Sequence, residues 1–216
     1  MMYSTVLFDL DGTLLDTLDD LTDAVNFALK GQGLPDCTRE EVRNFIGNGI
    51  VMLLSRAAKD RASEADADKM VADFKEYYAA HWQDKTRPYD GVIELLSALK
   101  AEGRKVGVVS NKVDFATKGL CKACFGDLID VAIGENEAAG VPRKPIPDGI
   151  FLAMRALSSE LKDTVYVGDS EVDIQTAKNA GIPCISVTWG FKDREFLVQN
   201  GATHLVSTIE ELQKLL

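Results

Sequence analysis

The densest chemistry in this chain is Phe8-Asp9-Leu10-Asp11-Gly12-Thr13, where an apolar run stops at two carboxylates two residues apart and a glycine follows. Strand alternation puts Asp9 and Asp11 on one side, and the turn after them can swing the second around. Carboxylates this crowded repel unless a cation or a shared proton compensates. A divalent ion is the simple solution, and hard oxygen donors favour Mg²⁺. A calcium loop of the EF-hand type needs three oxygen ligands before its glycine and helices on both sides; here a strand comes first. Capping of the next helix, which Asp16 or Thr17 also suits, stays open as the purely structural alternative.

Three later segments repeat the pattern of an apolar strand ending in polar residues. Gly107-Val108-Val109-Ser110-Asn111-Lys112 ends in a hydroxyl before an expected helix, so Ser110 and neighbouring backbone N–H groups suit a phosphate cradle, or an ordinary cap. In Arg143-Lys144-Pro145-Ile146-Pro147-Asp148-Gly149, two prolines stiffen the backbone around Lys144. Such a lysine can stand at one point and neutralise phosphate oxygens, although a surface-loop lysine reads the same way. Val165-Tyr166-Val167-Gly168-Asp169 stops at a carboxylate, with Asp173 four residues on. Asp169 can complete a metal site and Asp173 can fix that site from the first turn of a helix, or either can cap it.

The elements that position these residues follow from the pattern. Strands are expected at Tyr3–Phe8, Lys105–Val109, Ile129–Ile133, Thr164–Val167, Cys184–Val187 and His204–Val206, and helices at Val92–Ala101, Asp114–Ala123, Asp148–Leu157, Val172–Ala180 and Glu195–Gln199. Gly103 and Gly181 stand where helices should stop. This alternation predicts an α/β fold, a Rossmann-like parallel sheet with helices on both faces, and such sheets bind ligands at the carboxyl ends of their strands. All four motifs therefore converge on one rim. From about Asp16 to Lys85 the rhythm breaks into helix signals alone: a capping box at Thr38-Arg39-Glu40-Glu41, an interruption at Gly47-Asn48-Gly49, then helices near Ile50–Lys59 and Asp66–Trp82. The expected division is residues 1–15 and 88–216 as the sheet domain and 16–87 as an all-helical insertion.

Composition narrows the classes. The chain has 216 residues, 46% hydrophobic and 27% charged, with a formal net charge of −10, which fits a globular protein and argues against nucleic-acid or anionic-membrane partners. No run is long and apolar enough for a membrane span, and no targeting segment is expected. Cys121 and Cys124 lack a second pair and share one face of a helix as small apolar residues, so reduced thiols and a cytoplasmic location are expected. Nothing in the sequence fixes an oligomeric state.

Taken together, the Asp9-Leu10-Asp11-Gly12-Thr13, Ser110, Lys144 and Gly168-Asp169 motifs, in that order across essentially the whole chain, resemble the haloacid dehalogenase-like hydrolase superfamily, specifically its phosphoglycolate phosphatase-like branch. The resemblance implies that the insertion is a small α-helical cap, and that the chain is a phosphatase acting on a small phosphorylated metabolite. It further implies that Asp9 attacks phosphorus to form an aspartyl-phosphate, while Asp11 protonates the leaving oxygen and then activates water. Mg²⁺ would lie between Asp9, the Asp11 backbone carbonyl and Asp169. Ser110, the Asn111 backbone and Lys144 would hold the phosphoryl oxygens, Asp173 would support from outside, and Asn48 would face the site from a cap loop. Phosphoglycolate leads as substrate by resemblance, with nucleoside monophosphates, sugar phosphates and pyrophosphate as alternatives. A dehalogenase is disfavoured by Asp11, since halide needs no acid, and a phosphonate-cleaving relative would need a marked cap lysine, which neither Lys30 nor Lys59 is. A sugar-phosphate mutase remains a rival within the superfamily. A non-catalytic phosphate-binding module is disfavoured by the intact motifs.

Overall fold

A computed structural model describes residues 3–47, 49–59 and 64–216. The chain forms two compact units, one of Met1–Leu15 with Pro88–Leu216 and one of Asp16–Arg87.

In the first unit, β1 (Thr5–Phe8), β4 (Lys105–Val113), β5 (Val131–Glu135), β6 (Thr164–Gly168), β7 (Cys184–Val187) and β8 (Leu205–Val206) form one parallel sheet in the order β5-β4-β1-β6-β7-β8. β1 is central, and all four of its residues are fully buried. A strand covered on both faces reads as a continuous apolar run. Burying a Val, Leu or Phe is worth about 1.5–3 kcal/mol against about 1–2 kcal/mol per residue for ordering the backbone, so this strand can afford an acid at its end. Between the strands stand α5 (Val92–Ala101), α6 (Asp114–Phe125), α7 (Asp148–Ala156), α8 (Glu171–Ala180) and α9 (Arg194–Gln199), with α10 (Ile209–Leu215) closing the chain. Ile150, Ala153 and Met154 of α7 and Ala177 and Ala180 of α8 pack into one core with Leu7, Val109 and Tyr166. Gly181 ends α8 in the left-handed conformation, where a side chain would be strained.

The sheet departs from expectation mainly at β4. That strand continues through Ser110-Asn111-Lys112 to Val113, because a register shift between Val109 and Val113 lets it keep pairing with β5 as far as Glu135. The helix begins only at Asp114. β5 starts two residues later than expected, since Gly126–Leu128 forms a 3₁₀ turn before it. β1 and β8 are shorter at their first residues than the sequence suggested.

The second unit is helical: α1 (Leu18–Lys30), α2 (Arg39–Phe45), α3 (Gly49–Ala58) and α4 (Glu64–His81). The capping box is present, with Thr38 accepting from the Glu41 N–H and the Glu41 carboxylate accepting from the Thr38 N–H. Asp20, buried on α1, accepts the Lys85 and Thr86 N–H groups and so ties the end of the unit to its first helix. β2 (Leu15–Asp16) and β3 (Arg87–Pro88) pair as a separate two-stranded ribbon.

Candidate active site

Parallel register sets the site. Phe8 lies level with Val108 of β4 and Val167 of β6, and the Asp9 N–H continues the ladder to the Val167 carbonyl at 2.8 Å. Asp9, Ser110 and Asp169 therefore emerge on the same rim, on the central strand and its two neighbours. After Asp9 the chain turns sharply. The Leu10 carbonyl accepts from Leu14 and Leu15, and Gly12 adopts φ +82°. A Cβ on Gly12 would stand 2.4 Å from Asp169 Oδ2, so only glycine lets the loop pass this close.

Lys144 is the hub. Its ammonium, buried with the rest of the side chain, lies 3.0 Å from Asp9 Oδ1, 2.6 Å from Asp173 Oδ1 and 3.0 Å from the Tyr166 hydroxyl. The segment is held by Asn111, whose side-chain oxygen accepts the Lys144 N–H at 2.6 Å and whose amide donates to the Lys144 carbonyl at 3.2 Å. Asp173 does two jobs. It completes a capping box with Ser170 at the start of α8, and it accepts from Lys144, from the Asp169 and Ser170 N–H groups and from the Ser170 hydroxyl. Asp169 accepts from the Thr13 hydroxyl and from the Phe191 N–H at 2.7 Å. Among the described residues, the hydrogen bonds to Asp9 fall on Oδ1, from the Leu10 N–H and Lys144. Ser110 is buried and accepts from the Lys112 N–H at 3.3 Å. Asp11 stands apart from this group, in an ion pair with Lys112 Nζ at 2.9 Å. Asn48 lies outside the described residues.

The electrostatics match a cation site. Oxygens of Asp9, Asp169 and Asp173 lie within 4.8 Å of one another, three buried acids into which, among the described residues, Lys144 is the cation paired, so two negative charges are in excess once all three are ionised. Burial pushes Asp9 up to about 7, with Lys144 opposing and Asp173 and Asp11 adding to the rise. Asp169 is driven well above the usual carboxylate range by burial, then by Asp173 and Asp9, against the Phe191 N–H and Thr13. Burial works against the Lys144 ammonium, but Asp173 and Asp9 outweigh it and hold the lysine above its ordinary value. Hard oxygens carrying two excess charges suit a divalent cation such as Mg²⁺. Asp173 is already taken up by its donors, which leaves Asp9 and Asp169 the better placed to reach an ion.

Several contributors were not singled out from the sequence. Tyr166 links Lys144 and Asp173 to the Val109 carbonyl, to which its hydroxyl donates at 2.7 Å. Trp189-Gly190-Phe191, just beyond β7, reaches the site by backbone and side chain: the Phe191 N–H donates to Asp169, Trp189 Nε1 donates to the Thr13 carbonyl, and a Cβ on Gly190 would fall 2.3 Å from the Gly12 oxygen and 2.4 Å from Asp169 Cβ. Lys112 lies beside Asp11. The available signal was position, since each sits on or just after a strand whose neighbours were already marked.

The family model described as haloacid dehalogenase-like hydrolase matches residues 6–187. A phosphoglycolate phosphatase of Caulobacter vibrioides is 34% identical over 196 residues, covering 88% of this chain and 81% of its own. A pyrophosphatase, PpaX, of Listeria monocytogenes is 32% identical over 212 residues, covering 97% and 94%. A crystal structure from Lactobacillus delbrueckii subsp. bulgaricus, named provisionally a phosphoglycolate phosphatase, superposes with a TM-score of 0.93 at 37% identity, over 100% of this chain and 98% of that one.

Proposed function

The chain belongs to the haloacid dehalogenase-like hydrolase family, in its phosphoglycolate phosphatase-like branch, and on that premise we propose that it is a Mg²⁺-dependent phosphatase that hydrolyses a small organic phosphate monoester through an aspartyl-phosphate on Asp9. The observation that carries this reading is Asp9 itself. It is a buried carboxylate at the end of the central strand, held on Oδ1 by Lys144 and the Leu10 N–H, so Oδ2 is the oxygen left to attack phosphorus.

Asp9 Oδ2 forms the new P–O bond as the bond to the leaving oxygen breaks, and Asp11 gives that oxygen a proton. Asp11 then takes a proton from the water that attacks the aspartyl-phosphate, releasing inorganic phosphate and restoring Asp9. Lys144, the Ser110 hydroxyl and the Asn111 N–H neutralise and orient the phosphoryl oxygens. Mg²⁺ held by Asp9, the Asp11 carbonyl and Asp169 would supply further charge neutralisation at the phosphoryl group. Residues 16–87 serve as the cap that keeps bulk water out during turnover. Nothing in the charge of the chain favours a nucleic-acid or membrane partner, and a cytoplasmic location goes with this reading. Among the described residues, no helix is long and apolar enough to cross a membrane.

Phosphoglycolate is the leading substrate, because it is the compound named for the Caulobacter relative. A pyrophosphatase is the second reading, favoured by the nearly end-to-end match of this chain with the Listeria pyrophosphatase. Phosphate release should be measured on phosphoglycolate, pyrophosphate, nucleoside monophosphates and hexose phosphates, with Mg²⁺ or EDTA. Release that needs Mg²⁺ and falls at least about 10³-fold in Asp9→Asn is expected. Wild-type turnover in a folded Asp9→Asn protein would refute the mechanism.

A further inference from the structure

The geometry points to Lys112 as the residue that selects the substrate class, by receiving a second negative charge carried on the leaving group. This inference rests on the phosphatase reading above and deepens it, naming phosphates whose leaving group is itself anionic, through a carboxylate or a second phosphoryl group.

Lys112 is 9% exposed, an uncommon state for a lysine, and its ammonium lies 2.9 and 3.2 Å from the two oxygens of Asp11. Its backbone is fixed at both ends: the N–H donates to Ser110 Oγ at 3.3 Å, and the carbonyl accepts from the Thr117 hydroxyl at 3.1 Å. The residue is thus built into the rim by the extension of β4 past Ser110, and its position is set by the same strand that presents Ser110.

Asp11 marks where the leaving oxygen must lie, because a proton donor works within a hydrogen bond of the atom it protonates. Adding that bond of about 3 Å to the ion-pair distance puts the leaving oxygen within about 6 Å of Lys112 Nζ. An anionic oxygen two bonds beyond the leaving oxygen, as in pyrophosphate, or three, as in phosphoglycolate, can come within reach of the ammonium, whereas a neutral alkyl group there gains nothing from it.

Charge decides in the same direction. The chain carries a net −10, and the rim holds Asp9, Asp11, Asp169 and Asp173. Lys144 is committed to Asp9, Asp173 and Tyr166 and, in the reading above, to the phosphoryl oxygens, so it serves the phosphoryl end of the substrate. In the reading above, Lys144 and Mg²⁺ neutralise the phosphoryl end; a charge carried on the leaving group falls on the Asp11 side, where Lys112 is the adjacent cation. When the substrate binds, Lys112 divides its hydrogen bonds between Asp11 and the incoming anion, so the pair also keeps the acid and the leaving group side by side.

The test compares kcat/KM with Mg²⁺ for phosphoglycolate and pyrophosphate, both with anionic leaving groups, against ethyl phosphate, whose leaving group is neutral, and phosphoethanolamine, whose leaving group is cationic. In the wild type the anionic compounds should be favoured by roughly 10²-fold over ethyl phosphate, with phosphoethanolamine poorest. In Lys112→Met that ratio should collapse to within about threefold of unity, and Lys112→Arg should restore most of it. The carboxylate and phosphoryl arms separate the two sources of charge, and a strong ratio for either one supports the inference. If Lys112→Met lowers all four substrates alike and preserves the ratio, Lys112 only positions Asp11 and the inference is overturned. The wild-type ratio needs no variant, and a value near one overturns it as well, while leaving the phosphatase reading standing. Absence of release from every compound would overturn that reading first.

Discussion

Asparagine at position 173 removes one charge while keeping nearly the same shape, so Asp173→Asn isolates what the carboxylate does. Asp173 is fully buried. Oδ1 takes Lys144 Nζ at 2.6 Å, with the Tyr166 hydroxyl at 3.3 Å, and Oδ2 takes the Asp169 N–H at 3.2 Å, the Ser170 N–H at 3.0 Å and the Ser170 hydroxyl at 2.6 Å. An amide offers one oxygen and two N–H donors. With its oxygen towards Lys144 it turns donors against two buried backbone N–H groups; flipped, it turns them against the ammonium. Two buried donors left without an acceptor cost about 1–3 kcal/mol each. The opposing effect is relief of repulsion among Asp9, Asp169 and Asp173, about 1 kcal/mol at effective protein dielectric constants. Lost hydrogen bonds win, and the net loss is about 1–5 kcal/mol. For a chain of this size that lowers Tm by about 2–20 °C. Thermal unfolding of wild type and variant, both in EDTA and followed by circular dichroism, measures it directly. A variant within about 1 °C of wild type, or more stable, would refute the reasoning: repulsion among the acids, not the bonds Asp173 accepts, would then govern the site.

Two further predictions follow from the same geometry. Gly190→Ala should weaken the stabilisation that Mg²⁺ gives the protein, because its Cβ would enter the space of the Gly12 carbonyl and Asp169; an unchanged Mg²⁺-dependent shift in Tm would count against a role for this loop in placing Asp169. Burial pushes the Cys121 and Cys184 thiols up to about 12, so buried Cys121 and half-buried Cys184 should both react slowly with a thiol reagent at pH 8 until the chain is unfolded, and rapid native labelling of Cys121 would contradict its burial. The sign for stability follows: the folded chain keeps thiol protons that the unfolded chain releases, so this contribution is whole below about pH 9 and is lost as pH rises towards 12.

Much of the fold was legible because the central strands are buried on both faces. Val6-Leu7-Phe8 and Val165-Tyr166-Val167 read as strands without any partner being known, and the acids that end them could be assigned to one rim from chain order alone. β4 was legible only up to Val109. Ser110-Asn111-Lys112 has the composition of a turn, and what keeps it extended is pairing with β5 across a register shift, a long-range fact that no local window contains. That error hid Lys112, since a lysine at a helix start would have been expected to face solvent.

The site was less legible for a different reason. At several positions the structural and the chemical reading compete on equal terms in the sequence, and the molecule uses both at once. Asp173 looks like a helix cap or a site residue; it caps α8 through Ser170 and fixes Lys144 with its other oxygen. Asn111 looks like part of a phosphate cradle, yet its side chain locks the backbone of Lys144 from 33 positions away. Tyr166 reads as core and is core, but a buried hydroxyl must find a partner, and those within reach are Lys144, Asp173 and the Val109 carbonyl. Shared residues of this kind couple the stability of the fold to the geometry of the rim: a substitution that loosens the cap of α8 also frees Lys144, and with it the ammonium that holds Asp9 in place. Loss of activity and loss of stability should therefore travel together at Asp173 and Asn111, and separate at Asp9, whose Oδ2 carries chemistry while its Oδ1 carries the bonds to Lys144 and Leu10.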